Sequence, residues 1–221
     1  MRLHCHGFAA MATNRLAQWK KLRYNAPMPI LPLIEQKQAG LDAKCDIAAP
    51  GHDPVMLLIG CVDARKDPIA DLGVPKGSAL ILRNVAALVH PEHEKRLTES
   101  AALAFAVRHM KVKRVVVMGH TDCGGIRAAL AGSSSYSLRD YLQPIRDIRD
   151  KVCAETDDEA QQQMRLEQEA IKYSVRSLRS YDYIADAEAA GELKLHGWLI
   201  DTGSGRILQW DESTDEMRTL V

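Results

Sequence analysis

The chain has 221 residues, 46% of them apolar, enough to build a core without disulfide staples. Its 29 basic and 29 acidic side chains cancel. A neutral chain with no long basic block offers no electrostatic footprint for nucleic acid or for an anionic membrane surface.

No apolar run approaches membrane-spanning length. The five cysteines, Cys5, Cys45, Cys61, Cys123 and Cys153, are odd in number and scattered, unlike a secreted disulfide framework. The opening MRLHCHGFAAMATNR lacks the sustained apolar core of a signal peptide. A cytoplasmic, soluble protein is therefore expected, with Met11 as an alternative start.

Residues 1–50 read as an N-terminal arm and 51–221 as an α/β domain. Within the arm, Leu16 to Tyr24 has amphipathic helical spacing, and Pro27 to Pro32 resists both helix and central strand. The segment suits either an arm packed on another part of the protein or a partner, or a frayed terminus. Val55 to Gly60 is a short apolar run bounded by turn residues, as in a strand buried on both faces. Ala79 to Arg83 is a second strand candidate, and Thr98 to Met110 has the spacing of a helix. Arg114 to Met118 is a β-branched third strand. Strand–helix–strand order predicts a mainly parallel central sheet flanked by helices. Ile126 to Ala131 reads as a short helix. Leu138, Tyr141, Leu142, Ile145, Ile148 and Val152 mark one face of another, and Ile171, Val175 and Leu178 mark a third. Leu193 to Ile200 and Arg206 to Trp210 read as strands joined by the turn Asp201 to Gly205, before a polar tail.

Two clusters carry chemistry: Cys61-Val-Asp63-Ala-Arg65 and His120-Thr-Asp-Cys123. Each follows a strand candidate, and the carboxyl ends of parallel strands line the ligand crevice of such sheets. Cys61, His120 and Cys123 suit zinc, and three protein ligands with one open position is the pattern of a catalytic rather than a structural site. Alone, His-x-x-Cys is weak, because buried cysteines are often apolar fillers; the two clusters together are more demanding.

Cys-x-Asp-x-Arg followed by His-x-x-Cys-Gly-Gly resembles the β-class carbonic anhydrases. Gly77 to Asn84, with its Arg83-Asn84 step, is similar to a strand of that family. So is Leu195-His196-Gly197-Trp198 with Asp201-Thr-Gly203, and the likeness spans roughly residues 50 to 210. The resemblance implies a zinc-binding catalytic domain that reversibly hydrates carbon dioxide to bicarbonate and a proton. Cys61, His120 and Cys123 hold the metal, and a hydroxide on it is oriented by an Asp63–Arg65 dyad. In that reading Arg65 holds Asp63 in a bidentate pair; otherwise Asp63 becomes the fourth zinc ligand and closes the site. Gly124 and Gly125 let backbone amides approach and favour an anion such as bicarbonate, or simply make a turn. Arg83 is a second anion contact or a structural hydrogen bond to a neighbouring loop. His196 and Trp198 suit packing and interface contacts rather than catalysis. A homodimer or larger homo-oligomer is implied by the resemblance alone.

The sequence departs from the common family pattern at Ala64, where many relatives have serine, and at Leu58, where some bacterial relatives carry a regulatory tryptophan. Val74 to Gly77 also lacks the glutamine of plant-type relatives. Alternatives are a hydrolase of carbon disulfide or carbonyl sulfide, a non-catalytic zinc-binding module, and a thiol redox protein using Cys61 and Cys123. The last is disfavoured by the absence of a Cys-x-x-Cys pair.

Overall fold

A computed structural model describes residues 52–65, 67, 72–75, 77–132 and 136–220. The expected N-terminal arm, including the helix at Leu16 to Tyr24, lies outside the described residues.

Six strands form one sheet in the order β2-β1-β3-β4-β5-β6. Strands β1 (Met56–Cys61), β2 (Ala79–Asn84), β3 (Arg114–His120) and β4 (Lys194–Ile200) run parallel; β5 (Ile207–Asp211) and β6 (Glu216–Thr219) close the edge antiparallel. The two central strands are buried over nearly their whole length, which is why both read as unbroken apolar runs. Alternate residues serve opposite faces. Leu57, Ile59, Val115 and Val117 join one core cluster, while Leu58, Val116 and Met118 join another.

Helix α1 (Leu97–Ala104) continues into a π-helical turn, Phe105–His109, so the single helix expected at Thr98 to Met110 changes its winding midway. Helix α2 (Gly124–Leu130) follows β3. The face expected to form one helix around Leu138 to Val152 is divided into α3 (Tyr136–Tyr141) and α4 (Gln143–Glu155). Pro144 in the first turn of α4 explains the break, since proline opens a helix but cannot sit in its interior. Helix α5 (Glu159–Leu178) starts where Asp158 accepts the amides of Ala160 and Gln161. Two elements escaped the sequence reading: α6 (Asp182–Ala189), and β6 in what reads as a polar tail.

Helix α5 packs unusually close to the sheet. A Cβ on Gly119 of β3 or Gly197 of β4 would lie 2.7 Å from Ile171 of this helix. Both glycines therefore set the approach of α5 to the carboxyl end of β3.

Candidate metal centre

Parallel pairing of β1 with β3 brings their carboxyl ends together. Cys61 is the last residue of β1 and His120 the last of β3. Cys123 returns after the turn Thr121-Asp122. Its sulfur lies 3.7 Å from that of Cys61, and one ligand atom from each of Cys61, His120 and Cys123 falls within 4.8 Å of the others. None of the three residues is more than 2% exposed. The two clusters thus meet as expected.

The backbone around the site is strained. Ala86, Ala87 and Asp122 all have positive φ, a region that costs a side-chain-bearing residue about 1–2 kcal/mol. The turn Val85–Ala87 turns the Ala86 amide onto the Cys61 sulfur at 3.2 Å, and the Asp63 amide reaches the same atom at 3.4 Å. Asp122 in the left-handed region lets the chain reverse between His120 and Cys123.

The electrostatics are those of one shared thiolate. The neighbouring Cys123 thiol, helped by His120 and the two amides, draws the Cys61 thiol down to about 4 against the effect of burial. Cys123 moves up, first because of its Cys61 neighbour and then through burial. Burial disfavours the charged His120 ring, but the Cys61 thiolate outweighs it and raises the histidine overall. His120 Nδ1 faces the Thr121 carbonyl at 3.0 Å. That contact needs a proton on Nδ1 and leaves the Nε2 lone pair free, and Nε2 is buried with no hydrogen-bond partner. Two sulfurs and an orphaned imidazole nitrogen, converging in a buried corner, fit a soft divalent metal such as zinc.

Asp63 accepts the Gly124 amide at 2.7 Å through Oδ2. A Cβ on Gly124 would sit 3.0 Å from that oxygen, so any larger residue there pushes on the Asp63 side chain. Gly125 has a different function: its Cβ would come within 2.8 Å of Val85, so the glycine lets α2 close on the Val85–Ala87 turn. Arg65 does not pair with Asp63 among the described hydrogen bonds. Its guanidinium holds Asp122 Oδ2 at 3.3 and 3.4 Å, and Arg127 takes the other oxygen of the same carboxylate. The two arginines together keep the Asp122 carboxyl below its ordinary value. Arg83 donates to the carbonyls of Cys61 and Ala64 at 3.4 and 3.2 Å, bracing the loop after β1. His196 is half-buried in β4 with its ring 6.2 Å from that of Trp198, in keeping with packing.

Two residues that sequence reasoning missed act on Cys123. Glu167 Oε1 accepts the Cys123 amide at 2.9 Å, and Gln163 donates to the Cys123 carbonyl at 3.0 Å and to Glu167 at 2.6 Å. Burial pushes the Glu167 carboxyl up, against the pull of these donors. They come from α5, some 40 residues further along the chain; the one available signal is a Gln-x-x-x-Glu spacing on that helix.

Residues 56–207 match the protein family described as carbonic anhydrase. The chain is 30% identical over 210 residues to beta carbonic anhydrase 6, mitochondrial, of Arabidopsis thaliana, covering 92% of this chain and 68% of that protein. It is 32% identical to a carbonic anhydrase of Emericella nidulans, covering 71% and 69%. Among solved structures, a tetrameric beta-carbonic anhydrase of Sordaria macrospora superposes with a TM-score of 0.67 at 30% identity, over 91% of this chain and 94% of that one. The enzyme CafA of Aspergillus fumigatus gives 0.68 at 33% identity, over 92% and 89%.

Proposed function

The chain belongs to the β-carbonic anhydrase family, and from that premise we propose that it uses zinc, held by Cys61, His120 and Cys123, to hydrate carbon dioxide reversibly to bicarbonate and a proton. The observation that carries the reading is the convergence of these three buried donors, with His120 Nε2 unpartnered, beside the Asp63 carboxylate. When bound, zinc supplies Lewis acidity and lowers the pKa of a coordinated water.

The chain's own residues do the positioning. The Gly124 amide fixes one oxygen of Asp63, so the carboxylate stands as an acceptor at the mouth of the site, where it can orient the attacking oxygen toward the carbon of the substrate. Arg65 serves the proposed dyad by turning from Asp122 to Asp63. The Asp122 pair it leaves is exposed on both sides, and such pairs are worth only about 0–1 kcal/mol, so the exchange costs little. With Arg65 turned away, Asp63 is the candidate fourth ligand. A bicarbonate rest on the Gly124–Gly125 backbone requires the Gly124 amide to release Asp63; Arg83 supports it indirectly through the loop it braces.

Stopped-flow carbon dioxide hydration by zinc-quantified protein, run beside sulfide release from carbon disulfide and carbonyl sulfide, tests the reaction. Hydration that is abolished in Cys61→Ala supports it. Sulfide release without hydration points to the hydrolase alternative, and zinc binding with neither activity to a non-catalytic module. Thiolates donate more charge than imidazoles, so the rate is expected to climb toward alkaline pH, and a flat profile counts against that assignment of ligands. We further propose a homo-oligomer, by likeness to the tetrameric Sordaria enzyme, and a reducing compartment such as the cytoplasm, because the site needs free thiols. Among the described residues no helix is long and apolar enough to cross a membrane.

A further inference from the structure

Glu167 is a carboxylate only 4% exposed on a helix whose buried residues are the apolar Leu166, Ala170, Ile171, Val175 and Leu178 with the polar Lys172, Ser174 and Ser177. Burying a carboxylate is expensive unless donors compensate for the lost water. Both of its donors bear on one residue: the Cys123 amide directly, and Gln163, whose amide nitrogen is shared with the Cys123 carbonyl. The peptide groups on either side of the Cys123 Cα are therefore both held from α5. The chain needs such an anchor here, because the preceding residue, Asp122, sits in the unfavourable left-handed region. The anchor is itself registered on the sheet. Ile171, one helical turn beyond Glu167, lies against Gly119 and Gly197.

We propose that Glu167 and Gln163 are positioning residues for the metal ligand Cys123, holding its backbone so that the thiol is presented to Cys61 and His120 before metal arrives. The inference rests on the zinc-site reading and adds two residues to it. Hydrogen-bonding partners behind a ligand govern metal affinity as well as orientation, and their loss typically lowers affinity about 10–100-fold.

The test is zinc affinity of the full chain, measured by competition with a chromophoric chelator, alongside thermal melting of the zinc-free protein. Glu167→Ala is expected to weaken zinc binding about 10–100-fold. Glu167→Gln, which keeps an acceptor for the Cys123 amide, is expected to recover most of the loss. Gln163→Ala is expected to fall between them. A cavity of about 680 Å³, lined among others by Asp122, Arg127, Gln163 and Glu167, adjoins these side chains, so truncation enlarges a space already present. Should Glu167→Ala fail to fold, the half-buried Gln163 still decides. Wild-type zinc affinity in Gln163→Ala and Glu167→Gln together with Glu167→Ala, or in Gln163→Ala alone where Glu167→Ala is unfolded, overturns the proposal. So does a loss in Glu167→Ala that Glu167→Gln does not recover. Failure of the functional reading looks different: wild type binds zinc, the variants weaken it as expected, and no carbon dioxide is hydrated.

Discussion

Arg65 sits four residues beyond the ligand Cys61 and has two carboxylates to choose between. In the structure it holds Asp122, shared with Arg127, while Asp63 is held by Gly124. Arg65→Ala is expected to keep its zinc stoichiometry and lose most carbon dioxide hydration; full activity in that variant sinks the dyad. Asp122→Asn removes the competing charge and is expected to keep zinc and at least wild-type activity. A tenfold fall there, read in the same assay, shows instead that Asp122 holds Arg65 where the reaction needs it. Proton competition gives a second expectation at this scale. Cys61 is already down at about 4, but Cys123 and His120 are both shifted up, so protons compete with metal most strongly at the latter two. Zinc affinity is therefore expected to fall as the pH is lowered from neutral, since ligands bind only in their deprotonated forms. A chelator titration across that range checks it, and a flat dependence contradicts the assigned donors.

The element that matters most to the site is α5. It covers the sheet through Ile171, Val175 and Leu178, and its depth is set by two glycines with no room for a methyl group. Gly119→Ala and Gly197→Ala each force Ile171 or the helix to move, and are expected to destabilise the fold by about 1–3 kcal/mol, measurable by denaturant unfolding. Gly119→Ala is also expected to weaken zinc binding, because the same displacement carries Glu167 away from Cys123. Undiminished stability in both shows that the contact relaxes freely. Helix α5 was legible from Ile171, Val175 and Leu178 in the sequence, since apolar spacing reports which face is buried. The polar contacts of Gln163 and Glu167 were not, because they depend on which strand lies beneath that face.

At the scale of the whole molecule, the parallel strands β2-β1-β3-β4 place both motifs on one end of the sheet, and family membership adds the expectation of self-association. Sedimentation of the purified chain is expected to give a dimer or larger species, and a monomer at micromolar concentration refutes the oligomer proposal. The outer edge of the sheet shows where reading by pattern fails. Glu216–Thr219 is short and polar on an edge, and it becomes β6 by pairing with β5; a partner strand, not local preference, decides such a segment.

What the sequence determined alone was local and compositional: which runs are buried strands, where they end, and that Cys61, His120 and Cys123 follow those ends. These follow from periodicity and residue chemistry, which act along the chain. Tertiary structure decided that the three donors meet within 4.8 Å, that Arg65 faces Asp122, and that Glu167 and Gln163 grip Cys123. Those outcomes depend on distances between residues remote in sequence, set by strand order and by how closely one helix lies on two glycines, and no local pattern encodes them.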